Sequence, residues 1–269
     1  MKRHEFLPVA VVLLILLVSC GTTSPYGEKN PFVYSIGQEG SYVFTTTDKE
    51  TIAAFADIDK VKINRVTGCY DPETGLFYGA VEGSFSKGIV NTGLSVSKQV
   101  QKVKGSKISY YRQTDGNLCF YAPANGILFF ANADIENLYF SIFKEKTAQP
   151  DTVLATKILS ASSGMYVKSP TVIPDLGLGL SKEIATRFDN LVLLSDSGKY
   201  SVDFTLNTRD YADSFFKLIK TAYTTALKEA GKKIDVNHLK VVILQNGLTV
   251  TLTDQDYDPS VFSGMINQI

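Results

Sequence analysis

Apolar side chains recur along this chain with two periods. Over Val61 to Val66 apolar and polar residues alternate, which puts one set on the buried face of a strand. Between Thr208 and Ala230 the apolar positions return every three or four residues instead. Tyr211, Ala212, Phe215, Phe216, Leu218, Ile219, Ala222, Tyr223, Ala226, Leu227 and Ala230 fill half of a helical wheel. Asn207 offers an N-cap, Asp210 favours the positive end of the helix dipole, and Gly231 with Lys232 and Lys233 closes the helix. A face that wide has to be covered. Tyr211, Phe215, Phe216, Ile219 and Tyr223 are therefore the candidates for packing, or for lining the space of an apolar ligand.

The same patterning predicts strands over residues 32–36, 42–47, 61–66, 76–85, 107–113, 118–122, 127–131, 191–194 and 200–206, with another opening at Leu239. Gly68 is expected to end the third of these. Asp71-Pro72-Glu73-Thr74-Gly75 is a turn, because Pro presets φ and Gly supplies the awkward corner. Short helices are expected over 51–58 and 134–144, the latter capped by Asp134. A longer one is expected over 87–103, loosened by Gly88 and Gly93, which cost about 1 kcal/mol each against Ala.

Parts of this order repeat. Val81-Glu82-Gly83-Ser84-Phe85-Ser86 and Val202-Asp203-Phe204-Thr205-Leu206-Asn207 share the pattern apolar, acidic, variable, hydroxyl, apolar, cap. Leu118 precedes Asn125-Gly126 as Leu239 precedes Asn246-Gly247, and the offset is 121 throughout. The expected fold is α+β: two tandem related units of antiparallel sheet with helices packed on one face, at 32–147 and 148–269, joined near Pro150.

The first twenty residues add a setting. Lys2 and Arg3 precede an apolar run from Phe6 to Val18, shorter than the roughly 20 residues that cross a bilayer. Leu17-Val18-Ser19-Cys20 follows, and this resembles the lipobox of bacterial lipoproteins. The resemblance implies a signal peptide at 1–19 cut before Cys20, a diacylglycerol on its sulfur, a further acyl chain such as palmitate on its amine, and a lipidated flexible tether at 20–31. Gly21 stands where lipoproteins kept at the inner membrane often carry Asp, which favours the outer membrane. Two or more acyl chains make attachment stable where one would not.

Charge and chemistry narrow the rest. The chain has 27 basic and 27 acidic residues, so as a whole it carries no basic footprint for nucleic acid. Cys69 and Cys119 form an even pair in a compartment that permits disulfides. A bridge between them would contribute on the order of 4 kcal/mol, and spacing leaves open whether they bond or are buried apart. His4 falls in the signal segment, so a histidine site would need His238. The four Ser-x-x-Lys pairs lack the Lys-Thr-Gly that acyl-transfer enzymes with this spacing also carry. Asp254 to Asp258 opens like a calcium loop, but Pro259 and Met265 replace its required Gly and Glu. No metal and no cofactor is expected.

The reading that results is a membrane-anchored cell-envelope lipoprotein acting as a non-catalytic binding or scaffolding module. Its partners are the membrane, through the lipid, and an unidentified envelope protein or apolar small molecule. The alternative is a carrier that holds a lipid or other apolar ligand between helix and sheet. A hydrolase working through Asp71 and Glu73 is third.

Overall fold

The structure, a computed structural model, describes residues 42–49, 52, 63–71, 73–144, 152–168, 186–196, 199–229, 231–235 and 237–254. Cys20, the tether, the expected elements at 32–36 and 51–58, and the acidic run after Asp254 lie outside the described residues. The twelve described strands are antiparallel to their neighbours wherever a register is defined, so the fold is mixed α+β with antiparallel sheet. The chain divides into two compact units at Thr156 and Lys157.

In the first unit β1 (Tyr42–Thr46), β2 (Ile63–Asp71), β3 (Leu76–Gly83), β4 (Val100–Lys104), β5 (Ser109–Gln113), β6 (Cys119–Tyr121) and β7 (Ile127–Ala131) lie in the order β1-β2-β3-β7-β6-β5-β4. Strand β2 does not end at Gly68. It runs on to Asp71, because the Phe44 ring lies against Gly68, where a Cβ would collide with it. Gly79 plays the same part beneath Phe130. The glycines here are flat places in a strand that admit rings, not punctuation.

Helix α1 (Lys87–Val96) begins where expected, with the Ser86 hydroxyl accepting from the Ile89 amide at 3.2 Å. It stops at Ser97, well short of Val103. Val100 and Val103, inside the range expected to be helical, belong to β4, which forms a hairpin with β5. β-Branched valines are at ease in a pleated strand, and exposed Gln and Lys suit its open edge better than the interior of a sheet. Asp134 caps α2 (Ile135–Leu138), its Oδ1 accepting from the Glu136 amide at 3.0 Å, and the chain then widens into a π-helical turn over Tyr139–Lys144.

The second unit orders β8 (Ser163–Lys168), β9 (Phe188–Asp196), β10 (Lys199–Leu206), β11 (Leu239–Ile243) and β12 (Thr249–Asp254) as β8-β9-β10-β12-β11. It contains α4 (Arg209–Glu229), and α3 (Thr152–Ser160) leads into it. A helix at 152–160 was not among the expected elements.

Helices do not keep to one face. Directly paired antiparallel residues point to the same side of the sheet. Tyr111, Phe120 and Phe130 therefore share one face, and Tyr121 and Phe129 share the other. The Tyr111 hydroxyl donates to the Asn91 carbonyl of α1 at 3.1 Å, whereas Tyr139 packs edge-on against Tyr121 and Phe129. In the second unit Phe215 of α4 meets Phe204 on one face, while Lys157 of α3 reaches Asp203 on the other. The expectation of helices on one face is corrected for both units. With two covered faces, the middle strands carry long buried runs: all six residues from Tyr78 to Gly83 are buried.

Two glycine substitutions should differ in sign. Gly88 is exposed in α1, and the only atom near the place an added methyl would take is the Ser86 hydroxyl, at 4.0 Å. Gly88→Ala is expected to stabilise the fold by about 0.5–1 kcal/mol. Gly79→Ala would push a methyl into the Phe130 ring and the Thr67 carbonyl, and is expected to cost about 1–3 kcal/mol. Urea midpoints of the two variants against the parent chain check both.

Candidate functional site

The wide apolar half-wheel of α4 resolves into a narrow buried stripe. Ala212, Phe215, Ile219 and Tyr223 are buried, whereas Tyr211 and Phe216 are exposed and Leu218 is 61% exposed. The stripe is built by ring contacts. Phe215 stands edge-on to Phe204 with centroids 4.8 Å apart and to Phe188 at 5.2 Å. At the other end the Tyr223 hydroxyl donates to Asp254 Oδ2 at 2.8 Å, so the one polar atom of the stripe is satisfied by a buried carboxylate. Of the five candidate residues, Phe215, Ile219 and Tyr223 come together against their own sheet. Tyr211 stands apart with the Arg187 guanidinium 4.7 Å from its ring centroid, and Phe216 faces solvent. Where Phe215 meets the sheet, side chains fill the space that the carrier alternative assigns to a ligand.

The central strands carry carboxylates that the apolar patterning did not single out. Asp203 on β10 is buried, pairs with Lys157 and accepts from the Thr251 hydroxyl at 2.7 Å. Glu82 on β3 is buried as well. Burial pushes its carboxyl above the usual range, and the neighbouring Arg65, directly opposite it on β2, pulls the other way. The two acids sit at the matched position of the two repeated strand motifs. The signal was present in the sequence, as an acid within an otherwise apolar strand, and its meaning depended on seeing both faces covered.

A third carboxylate fastens a turn. The loop at Gly105-Ser106-Lys107-Ile108 closes the β4–β5 hairpin, the Gly105 amide donating to the Ile108 carbonyl at 2.9 Å. Glu136 of α2 accepts from the Ser106 hydroxyl at 2.6 Å, the Lys107 amide at 2.6 Å and the Ser106 amide at 2.9 Å. The Ser106 hydroxyl first, and the two amides after it, hold the Glu136 carboxyl below its ordinary range against the opposing effect of burial. Lys107 Nζ then lies 4.6 Å from the Phe140 ring centroid, which ties the hairpin tip to the same helical segment.

The remaining sequence candidates do not converge. The geometry corrects the disulfide. Cys69 pairs across to Tyr78, Tyr78 to Ala131 and Ala131 to Cys119, so the two cysteines lie in one row with two strands between them. At about 4.8 Å per strand their Cα atoms are roughly 14 Å apart, where a bridge needs less than about 7 Å. Both are free and buried.

Asp71 is occupied with its own turn, accepting from the Thr74 hydroxyl at 2.6 Å and the Glu73 amide at 2.9 Å. Those bonds, Thr74 first, lower its pKa, the opposite of what a general acid needs. Glu73 is exposed beside it. His238 lies 3.9 Å from Asp235, three residues away. Ser95 and Ser141 donate to carbonyls of their own helical turns. Among the described residues no group of three or more His, Cys, Asp or Glu side chains is placed to hold a metal, and no helix is long and apolar enough to cross a membrane.

No family model and no curated protein matches the chain. Its fold is shared with solved structures of TP0453. Crystal form I of TP0453 aligns over 89% of this chain and 96% of that one with a TM-score of 0.63 at 13% identity. Crystal form III aligns over 87% and 98% with a TM-score of 0.53 at 14% identity.

The Glu136 clasp predicts a pH signature. A carboxylate whose folded pKa is lowered contributes stability above its unfolded value, near 4.5, and loses it as pH falls through the folded value. Glu136→Gln is expected to be less stable than the parent at neutral pH, with the gap shrinking once pH drops below the ordinary carboxylate range. Chemical denaturation of both chains across that range measures it.

Proposed function

We propose that the chain is a lipid-anchored protein of the bacterial cell envelope, acting as a non-catalytic binding or scaffolding module. The observation that carries this reading is Leu17-Val18-Ser19-Cys20 at the end of a short apolar run behind Lys2 and Arg3. Gly21 favours the outer membrane. The folded body fits a module of this kind: α4 packs directly on its own sheet, and Asp203, Asp134, Asp71 and Glu136 serve an ion pair, a cap and turns. The scaffold is preferred to the carrier because Phe215, Ile219 and Tyr223 are spent on the sheet of their own unit.

We further propose that the two units descend from one. Strand order supports this: β2-β3-β7-β6 in the first has the same pattern of hairpins and return as β9-β10-β12-β11 in the second. Asn125-Gly126 and Asn246-Gly247 both turn the last hairpin of that pattern, with Gly126 at φ 74° and Gly247 at φ 69°. A helix follows β3 and β10 alike.

The test is the mature N-terminus. The intact mass of the protein taken from bacterial membranes is expected to fit a chain beginning at Cys20 and carrying acyl groups, and Cys20→Ser is expected to move the body into the soluble fraction. A different start, or continued membrane association without the sulfur, overturns the anchor. Native mass spectrometry of the unacylated body separates scaffold from carrier, since a co-purifying lipid would reverse the preference stated here.

A further inference from the structure

The chain is neutral as a whole, but its charge is segregated. Between Glu82 and Asp115 it carries Lys87, Lys98, Lys102, Lys104, Lys107 and Arg112 and no acidic residue. That stretch folds as α1, β4 and β5, and β4 is the outermost strand of the first unit's sheet. Lys102 and Lys104 are both exposed on β4, two residues apart and so on the same face. Among the described residues neither has an ion-pair partner.

Arg112 projects from the other face of the hairpin, its guanidinium near the Tyr110 hydroxyl at 3.3 Å. Lys107 stands at the tip. Among the described residues, Glu136 is held by Ser106 and Lys107, and Asp115 lies in the turn after β5.

We infer that this hairpin edge is an electrostatic contact for an anionic membrane surface, meeting phosphate headgroups edge-on while the N-terminal lipid holds the chain nearby. The membrane as partner rests on the anchor reading proposed above; the charge segregation stands without it. A hairpin edge of long charged side chains suits a diffuse layer of phosphates, because attraction there depends on how many cations come within a Debye length and not on a shaped pocket. Lysines on an edge strand also guard it against pairing with another chain. Edge protection alone gives no affinity for anionic vesicles, so vesicle binding separates the two roles.

The experiment uses the mature chain, residues 20–269 with Cys20→Ser so that no acyl group contributes, and vesicles of phosphatidylcholine with or without phosphatidylglycerol. Binding is expected to the anionic vesicles only and to fall as salt is raised. Each basic side chain near such a surface is worth about fivefold in affinity, so Lys102→Gln with Lys104→Gln should lose roughly 25-fold and the double change to Glu more. Lys228→Glu with Lys240→Glu makes the same change in net charge elsewhere and should leave most of the binding. Equal binding to neutral vesicles, no binding at all, an unchanged Lys102/Lys104 variant, or equal loss in the control pair overturns the inference. So does displacement by inorganic phosphate beyond that by chloride at equal ionic strength, which would mean a small-anion site. Far-ultraviolet circular dichroism of each variant confirms that the fold is kept. An anchor that fails the N-terminal mass test would not alter these outcomes, so the two failures are distinguishable.

Discussion

A strand covered on both faces has nowhere inexpensive to put a charge, and β3 and β10 each carry one. Isolated in an apolar layer, an ionised carboxylate costs several kcal/mol, so the surroundings must answer it or neutralise it. Asp203 is answered by Lys157 and by the Thr251 hydroxyl, contacts that tie α3 and β12 to the middle of the second sheet. Glu82 is answered by Arg65 from the adjacent strand, and burial still holds its proton more tightly than usual. Much else follows from covering both faces: buried runs replace clean alternation, glycines sit where rings cross the sheet, and helices lie to either side.

Packing around those strands is ring against small residue. Phe44 over Gly68 and Phe130 over Gly79 place two aromatic side chains where any Cβ would exclude them, and Phe77 bridges the pair, 6.4 Å from Phe44 and 5.3 Å from Phe130. The hydroxyls of Thr45 and Thr67 pair at 3.1 Å between β1 and β2, so the polar atoms of these buried strands also find partners. The second unit uses a different solution, Phe188 and Phe204 of the sheet in mutual contact with Phe215 of α4. Similar strand order has thus been filled by unlike side chains.

Features governed by a local rule were legible in the sequence. Strand β7 falls at the expected residues 127–131, the caps at Ser86 and Asp134 form, and α4 lies within one residue of its expected bounds, because turn chemistry and capping act over a few positions. Features that depend on a neighbour were not. Nothing within Gly68 says that a phenylalanine will cross it, and nothing within Val100 and Val103 says that an edge strand will claim them from the helix. The half-wheel of α4 overstated its buried face because a helix on a flat sheet touches along one stripe, leaving Tyr211, Phe216 and Leu218 on its flanks. The separation of Cys69 from Cys119 is fixed by strand order, which no spacing encodes.

The offset of 121 bears on the proposed duplication more subtly than its constancy implies. Phe120 pairs with Phe130 in the first unit, and Val241 pairs with Leu252 in the second. The leading strands of the two hairpins therefore align at 121 and the returning strands at 122, so the second unit has one extra residue after its Asn-Gly turn. Extended unchanged, the offset of 121 would equate Leu128 with Thr249 and exchange the two faces of the strand, since a shift of one residue turns every side chain over. At 122 Leu128 matches Val250 and Phe130 matches Leu252, and apolar residues meet apolar ones. The register against the central strand still differs, Val81 facing Leu128 while Val202 faces Leu252, but by two residues, which keeps the faces. A duplicated unit can drift by an even step along a strand without exposing its core, whereas an odd step needs a compensating residue in a turn. The single residue gained beside Asn246-Gly247 is of that kind.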